Sequence, residues 1–468
     1  MLLHPKRALS FPNIMSNADK GVTVNLSRRT KVVSAVAGAA SFALIAAGCS
    51  SGSTGSTSSS SPGPVTLTVT TFGSMGLDGL YKTYEAAHPG ITIKANNIDT
   101  GGNARTDAFT KIAAGSGLAD VLAVEEGWLG AIQNVSDKFN NLKDFGADKI
   151  KDRWVPWKLA QGTDKSGRII GYGTDIGPEG LCYNSKLFAA AGLPADRAAV
   201  ATLLGGTSAT WDKYFSVGAD YQKKTGKAWF DQSGFIWNSM VNQLPEGYYT
   251  SAGKLNVADN QALKDRWAQL AAANAAGLSA KQTQWDWNKG KSFIDGKFAT
   301  FMCPGWMLGV VQGQVKTAGG DATGATAGWD FADVFPGGAA NWGGSFLTVP
   351  KQSKHPKEAA ELAAWLTDKD QEIAAFKAQG PFPSVVTAQT DPALATATGV
   401  SAFFNTAPIS AILSKRAEGI KAQFKGPDDS TIQDQVFGPS AIALDQGKSG
   451  TQTWTDAMKL LDQLVVNK

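Results

Sequence analysis

A regular alternation of strand and helix patterns across residues 65–124 does most to limit the fold of this chain. Residues 65–71 alternate apolar and threonine side chains, which is the period-two pattern of a strand. Helix, strand, helix and strand patterns follow, and this order predicts a mostly parallel sheet with helices on its faces. Ligands bind beyond the carboxyl ends of such strands, so we expect the segments after Thr71, Asn96 and Val124 to face a ligand.

The rest of the body repeats this alternation, which favours two α/β lobes over one large domain. An extended passage runs through residues 165–184. Helical patterns occupy residues 185–191, 210–225, 259–276, 357–367, 369–378 and 452–466, and strand patterns occupy residues 298–303 and 345–349. Thr210 is the expected N-cap of its helix.

Residues 1–48 have the pattern of an export leader. Arg28, Arg29 and Lys31 precede an uncharged stretch that stops at Gly48-Cys49 and is short for a membrane-spanning helix. The small residues before Cys49 resemble a lipobox, so we expect Cys49 to be lipidated and to become the new amino terminus. The alternatives are ordinary secretion and an uncleaved anchor, and Met15 is an alternative start.

The segment after this cysteine is a predicted tether. Every residue from 50 to 63 is Ser, Thr, Gly or Pro, a composition that forms a flexible coil because it cannot bury a core. Residues 49–63 would therefore hold the body, lipid-anchored, at the outer face of the cell membrane.

Charge excludes one large class of partner. The chain has a net charge of +4, but six basic side chains and one acidic side chain lie in the leader, so the body is nearly neutral. A nearly neutral body without a basic block lacks the surface that grips a phosphate backbone. Nucleic acid is therefore not an expected partner.

Beyond the leader, Cys182 and Cys303 form an even pair. In an exported protein such a pair favours a disulfide, and two reduced cysteines buried in neighbouring strands are the alternative. A metal site is not expected, because the body contains only His88 and His355 and each precedes a proline, as in a turn.

The tryptophans carry most of the functional information, since all fourteen lie outside the leader. Several stand beside glycine or a polar residue: Glu126-Gly127-Trp128, Trp285-Asp286-Trp287-Asn288, Pro304-Gly305-Trp306 and Asn341-Trp342-Gly343-Gly344. Glycine lets a ligand approach an indole closely, and Asp, Glu and Asn supply hydrogen-bond acceptors. A sugar, with an apolar C–H face and a hydroxyl edge, suits this combination, although any one of these tryptophans could be a core residue.

The sequence matches known catalytic motifs poorly. Gly-Lys-Ser occurs at residues 290–292 and 447–449, but the earlier glycine of a phosphate loop is missing from both. The sequence has no Gly-x-Ser-x-Gly nucleophile elbow with plausible partners, no His-Glu-x-x-His zinc motif and no Gly-x-Gly-x-x-Gly dinucleotide fingerprint after the first strand. The acid pairs that a glycoside hydrolase could use are Glu125 with Glu126 and Asp175 with Glu179. We therefore predict a protein that is not an enzyme and takes no cofactor.

Five segments in order resemble the extracellular solute-binding lipoproteins of ABC sugar importers, the family that includes maltose-binding protein. These segments are residues 65–72, 119–128, 177–184, 298–306 and 342–351. The Cys-Tyr after Gly-Pro-Glu and the Cys-Pro-Gly-Trp are similar to those of actinobacterial cello-oligosaccharide-binding proteins.

The resemblance implies a two-lobed periplasmic-binding-protein-like fold of type II, with crossings between the lobes near residues 174–178, 342–346 and 385–395. The implied lobes are residues 64–175 with 345–388 and residues 176–344 with 389–468. It also implies a monomer that closes on an oligosaccharide, with cello-oligosaccharide favoured, and delivers it to ABC permease subunits. A peptide or cationic guest, a surface adhesin and an exported hydrolase are the alternatives.

The resemblance further places Trp306 at a stacking position and Glu126 and Trp128 on a first-lobe loop that faces sugar. The acid on the crossing strand is Asp175 or Glu179, and the charged pair that maltose-binding protein has near its first strand is not matched. The predicted ligand-binding residues are Phe72, Glu126, Trp128, Asp175, Glu179, Trp237, Trp287, Trp306, Trp342, Gly343 and Gly344.

Overall fold

The computed structural model describes residues 63–73, 75–395 and 399–467. The predicted leader, the lipidation site at Cys49 and nearly all of the tether lie outside the described residues. Among the described helices, none combines the length and the apolar run that crossing a bilayer requires.

The body begins with strand and helix in the predicted order. The strands are β1 Val65–Phe72, β2 Ile91–Ile98, β3 Val121–Glu125, β4 Gly171–Gly173, β5 Glu179–Asn184, β6 Ala228–Phe230, β7 Phe298–Pro304, β8 Trp329–Ala332 and β9 Ser345–Thr348. The helices of the first 300 residues are α1 Asp78–Ala87, α2 Gly101–Ala114, α3 Glu126–Asn134, α4 Pro156–Gln161, α5 Ser185–Ala190, α6 Arg197–Leu203, α7 Trp211–Thr225, α8 Ser233–Asn242, α9 Gln261–Ala275 and α10 Lys291–Ile294.

The remaining helices are α11 Gly305–Thr317, α12 Pro356–Leu366, α13 Lys369–Gln379, α14 Val386–Gln389, α15 Gly399–Phe403, α16 Ile409–Ala417, α17 Asp429–Thr431, α18 Gly438–Asp445 and α19 Gly450–Leu461. Short 3₁₀ turns occupy Ser136–Lys138, Leu142–Phe145, Ala147–Lys149, Lys151–Arg153, Gly206–Ser208, Ala325–Ala327 and Pro392–Ala395, and π-helical turns occupy Ile432–Phe437 and Asp462–Val466.

Helix ends follow local chemistry. The Thr210 side chain accepts a hydrogen bond from the backbone N–H of Lys213, which confirms it as the N-cap of α7, and Gly226 ends that helix with φ +68°. Thr100 and Gly115 bound α2 in the same way. Local cap residues therefore set the limits of both helices.

Two sheets form the centres of the two lobes. The first has the order β2-β1-β3-β9-β4, and the second has the order β6-β7-β5-β8. The two-lobed α/β fold is thus confirmed. In each sheet all strands but one run in the same direction: β9 is antiparallel to β3 and β4, and β5 is antiparallel to β7 and β8. Both strands enter their sheets directly from a crossing segment, and this reverses their direction.

Helices cover both faces of the first sheet. In β3, Val121 and Ala123 belong to one hydrophobic cluster, whereas Leu122 and Val124 belong to another. Successive side chains of a strand point to opposite faces, so each face has its own core. The sheet is therefore buried between two layers, and a ligand can reach it only at its strand ends.

Three stretches of chain meet where the sheets are joined: two crossing segments and the stretch that contains Phe382. Residues 174–178 connect β4 of the first sheet to β5 of the second, and residues 333–344 lead from β8 back to β9. Isolated bridges pair Ile176 with Phe382 and Pro178 with Asn341. All first-sheet strands fall within the segments predicted for lobe 1 and all second-sheet strands within those for lobe 2, while the boundaries themselves stay predictions.

The disulfide joins the second sheet across neighbouring strands. Cys182 of β5 and Cys303 of β7 are bonded, both fully buried, with Cα atoms 5.7 Å apart. The strands are antiparallel and pair Gly180 with Cys303. The predicted disulfide is therefore present, and the cysteines also occupy the neighbouring strands of the alternative interpretation.

Candidate functional site

The candidate site lies where β3, β7 and the second crossing segment come together. β3 ends at Glu125, and β7 ends at Pro304, two residues before Trp306. A Cβ placed on Gly343 would lie 3.3 Å from Trp306 Nε1 and 3.9 Å from Glu125 Oε1, so both lobes contribute to this position. The site thus lies beyond strand ends, as the alternation of strands and helices predicted.

Trp306 is the best-defined aromatic surface of the site. Its indole is partly exposed, and its Nε1 donates a hydrogen bond of 2.8 Å to the backbone oxygen of Trp342. The ring of Trp342 stands edge-on to it, with centroids 5.6 Å apart. Trp342 itself is only 8% exposed, so it mainly fixes the orientation of Trp306.

Trp285 extends this surface and was not among the predicted ligand-binding residues. Its ring is 41% exposed and stacks on Trp306 with centroids 6.1 Å apart and 30° between planes. Backbone φ is positive at Trp285 and at each residue from Trp287 to Gly290, which forms a tight left-handed turn. A Cβ on Gly290 would lie 2.1 Å from the backbone oxygen of Gln314, so only glycine fits there.

Sequence reasoning selected Trp287 from this segment, and the structure places Trp287 inside the fold. Its ring is fully buried, and its Nε1 donates to Asp231 Oδ2 at 3.0 Å. Trp285 and Trp287 both stand beside Asp286, so their neighbours in the sequence do not distinguish them. Only the left-handed turn decides which indole is exposed.

Two other predicted tryptophans also lie in cores. Trp128 is 1% exposed on α3, and Trp237 is fully buried, with its Nε1 donating to the hydroxyl of Tyr248. Trp237 packs edge-on against Trp267 in the core of the second lobe. Neither indole presents a face to a ligand, so neither is part of the proposed ligand surface.

Gly343 and Gly344 are required by backbone geometry. Their φ angles are +80° and +100°, and a Cβ on Gly344 would lie 2.6 Å from the backbone oxygen of Asp175 and 2.7 Å from Lys158 Nζ. Side chains rarely adopt this conformation. The glycine pair therefore brings the second crossing segment against the first.

Glu125, not Glu126, is the carboxylate that the site leaves open. Glu125 is partly exposed at the end of β3, and burial among protein atoms raises the pKa of its carboxyl to about 7. Nearby Glu126 and Asp434 also raise this pKa, while the Gly127 N–H and Lys425 oppose the rise. Glu125 can therefore act as a hydrogen-bond donor or acceptor near neutral pH.

Glu126 holds the framework together instead. It is buried in the first turn of α3 rather than on a loop, and it accepts hydrogen bonds from Gln161 Nε2 at 2.6 Å and Asn341 Nδ2 at 3.0 Å. Its backbone N–H donates to the oxygen of Gly344. The change from strand to helix between Glu125 and Glu126 sends their side chains in different directions.

The two acids that sequence reasoning could not separate are both buried. Asp175 accepts hydrogen bonds from the Ser345 N–H at 2.8 Å and from Thr174 Oγ1 at 2.7 Å, which ties two crossing segments together. Glu179 accepts from Ser239 Oγ at 2.7 Å inside the second lobe. Phe72, by contrast, is partly exposed at the end of β1, and a Cβ on Gly101 would lie 3.8 Å from its ring.

A surface cavity of about 770 Å³ lies elsewhere, between α9 and the start of α19. It is lined by Trp267, Trp454 and several alanines and lysines. The indole N–H of Trp267 is bonded to Gly450 and Thr453, and Ser449 already caps α19. Its convergent polar groups are thus occupied, and we do not assign the ligand to it.

Comparison with known proteins relates the chain to one family. Residues 79–402 match a family model described as bacterial extracellular solute-binding protein. The arabinooligosaccharide-binding protein of Bacillus subtilis (strain 168) is 27% identical over 344 residues, which cover 69% of this chain and 72% of that protein.

Solved structures share the architecture. The crystal structure of an extracellular solute-binding protein of family 1 has a TM-score of 0.74 at 43% identity and covers 86% of this chain and 99% of its own. An ABC-transporter-associated binding protein from B. animalis subsp. lactis Bl-04, in complex with β-1,6-galactobiose, has a TM-score of 0.70 at 20% identity and covers 85% of this chain and 97% of its own.

Proposed function

This chain belongs to the bacterial extracellular solute-binding proteins, and we propose that it captures an oligosaccharide by lobe closure and delivers it to a membrane ABC importer. The family consists of binding proteins, so the chain is not an enzyme. One curated relative is named for binding arabinooligosaccharide, and a structural relative holds a disaccharide. Carbohydrate is therefore the ligand class that the relatives favour.

The Trp285–Trp306 pair beside Glu125 is the observation that carries this proposal. The two partly exposed indoles form a continuous aromatic surface, and a carboxyl group and backbone carbonyls lie at its edge. A sugar places its apolar C–H face on such rings and its hydroxyl groups on the acceptors. Phe72 and the Gly343–Gly344 backbone complete the proposed ligand surface.

A comparison of free energies shows that tight sugar binding needs both stacking and hydrogen bonding. Burying one sugar face on an indole contributes about 1–2 kcal/mol. Micromolar binding requires about 8 kcal/mol, so two indoles leave more than half to hydrogen bonds from Glu125 and the crossing backbone. Selectivity among sugars would come from those hydrogen bonds.

We favour a cello-oligosaccharide, because residues 177–184 and 298–306 are similar to those of cello-oligosaccharide binders. An arabino-oligosaccharide is the second candidate, since the curated relative is named for it. Both are neutral sugars that the same indole surface can bind, so only measurement separates them.

The test is a thermal-shift screen of the purified chain against cellotriose, arabinotriose, xylobiose, maltose and trilysine. A ligand at about 100 times its Kd adds about 2.7 kcal/mol of stability, which is easily detected. We expect cellotriose to give the largest shift. A shift with trilysine and none with a saccharide would refute the carbohydrate assignment, and binding only to insoluble glycan would indicate an adhesin.

We also propose that the protein is a monomer and that a lipid on Cys49 holds it at the outer face of the cell membrane. There it reaches the permease. The proposal rests on the leader composition described above. Mass spectrometry of the membrane fraction should find acyl groups on Cys49, and Cys49→Ala should release the chain into the medium. Equal membrane retention of Cys49→Ala would contradict it.

A further inference from the structure

The two lobes touch directly beside the candidate site. Helix α3 of the first lobe packs so closely on the second lobe that a Cβ on Gly130 would lie 2.2 Å from the backbone oxygen of Gly426. Arg105 of α2 reaches across as well, and its Nη2 donates to Thr431 Oγ1 at 3.3 Å. These contacts define an interface between the two lobes.

This interface carries more carboxylates than cations. Its charged side chains are Arg105, Glu125, Glu126 and Lys158 from the first lobe and Lys425, Asp429 and Asp434 from the second. We call these the interlobe charge cluster. Lys158 is fully buried and lies close to two further acids, Asp175 and Glu372. These two carboxylates compensate part of its positive charge. The remaining cations, Arg105 and Lys425, do not balance the facing acids.

For two of these acids, Asp429 and Glu125, a carboxylate of the other lobe is among the causes of a raised pKa. Asp429 is buried against α3, its Oδ1 lies 4.0 Å from Lys425 Nζ, and burial raises its pKa to about 6. Glu125, whose pKa is raised to about 7, has Asp434 of the other lobe among the charges that raise it further. The Asp434 side chain is exposed, so water screens its charge and its effect on the neighbouring carboxylates is smaller.

We propose that closure of the lobes is coupled to proton uptake by the interlobe charge cluster, so that the closed form becomes more stable as the surroundings become more acidic. The physical cause is that closing removes water from facing carboxylates that outnumber their cations. The inference rests on the lobe-closing part of the proposed function and does not depend on which ligand is bound.

The sign follows from proton linkage. If separating the lobes returns the pKa of Glu125 to its ordinary value, the closed form, in which this pKa is about 7, binds more protons at neutral pH. Lowering the pH from 8 to 6 then favours closure, by up to about tenfold for one such group. Any ligand that binds the closed form should bind more tightly by the same factor.

Small-angle X-ray scattering of the ligand-free chain tests the coupling without knowledge of the ligand. We expect the radius of gyration to fall as the pH is lowered from 8 to 5.5. Glu125→Gln, which mimics the protonated acid, should already be compact at pH 8 and should respond less. Because Glu125 also belongs to the proposed ligand surface, Asp429→Asn serves as a second variant and should shift in the same direction.

Glu179→Gln is the matched control, since Glu179 is buried within its own lobe and bonded to Ser239 rather than to the interface. This control should keep the full pH response of scattering. A radius of gyration that is independent of pH, or an equal response in all variants, would overturn the proposal. Neither result would affect the sugar assignment, which the thermal-shift screen decides separately.

Discussion

At the residue scale, the orientation of Trp306 depends on a single hydrogen bond and two neighbouring rings. The bond from its Nε1 to the Trp342 oxygen orients the partly exposed indole, and Trp285 stacks against it. A sugar contact on this surface would be lost with the ring, while the backbone of α11 would remain.

Trp306→Ala should therefore weaken oligosaccharide binding by one to two decades, since one lost stack costs about 1–3 kcal/mol. Isothermal titration calorimetry with the sugar found by the screen measures this. Trp365→Ala is the control. Trp365 lies on α12 and packs against Tyr84 of α1, so its replacement should leave the affinity for sugar unchanged. Unchanged affinity of Trp306→Ala would remove this indole from the ligand surface.

The glycine at position 344 is expected to be irreplaceable. Gly344→Ala puts a Cβ 2.6 Å from the Asp175 oxygen at a φ of +100°, whereas Gly338 has φ +104° with nothing within 4 Å of a Cβ. Backbone strain alone costs about 1–3 kcal/mol, so Gly338→Ala should lose about that much. Gly344→Ala should lose at least about 1 kcal/mol more in urea unfolding, owing to the clash. Equal losses would show that the crossing segments separate easily.

At the element scale, the disulfide connects two strands that both lead to the site. β5 begins directly after the first crossing segment, and β7 ends two residues before Trp306. The bond closes a loop with a sequence separation of 121, so it removes much conformational freedom from the unfolded chain.

Replacing both cysteines by alanine should lower the free energy of unfolding by about 2–5 kcal/mol. Urea denaturation of the oxidised protein and of the Cys182→Ala/Cys303→Ala variant provides the measurement. Ligand affinity, measured below the unfolding transition, should change little, because neither sulfur faces the ligand surface. A variant as stable as the parent would mean that the strand pairing by itself fixes this loop.

Element boundaries also explain why the acid of the site could not be chosen from sequence. Glu125 and Glu126 are adjacent and chemically alike, yet one ends β3 and the other begins α3. The start of a helix at Glu126 turns its side chain toward Gln161 and Asn341, while Glu125 stays open. No residue pattern around the pair indicated where the strand would stop.

At the scale of the whole molecule, several acids are buried within one lobe and affect stability rather than closure. Glu179 is fully buried, its Oε1 has no hydrogen-bond partner in the part of the chain that the structure describes, and burial raises its pKa from 4.5 to about 8. The folded state therefore keeps a proton that the unfolded state releases.

A raised folded pKa means that the stabilisation is complete below the unfolded pKa and is lost as the pH rises through the folded value. For Glu179 this window runs from about 4.5 to about 8. We expect the free energy of unfolding in urea to fall between pH 5 and pH 8, and to fall less in Glu179→Gln. An identical pH dependence of the two proteins would show that Glu179 is ionised in the folded state.

The sequence determined the class of fold and the ordering of its elements, because local periodicity and end signals such as Thr210 and Gly226 are written within short segments. It also identified the cysteine pair and the segments from which the site is built. Residues 298–306 and 342–344 meet at the candidate site.

Tertiary structure alone decided which side chains of those segments are exposed. Trp285 rather than Trp287 reaches the surface because of a left-handed turn, and Glu125 rather than Glu126 faces the site because a strand ends between them. It also set the antiparallel course of β5 and β9 and the contact between the lobes. Exposure and facing charge depend on residues far apart in the chain, and periodicity within a segment does not record them.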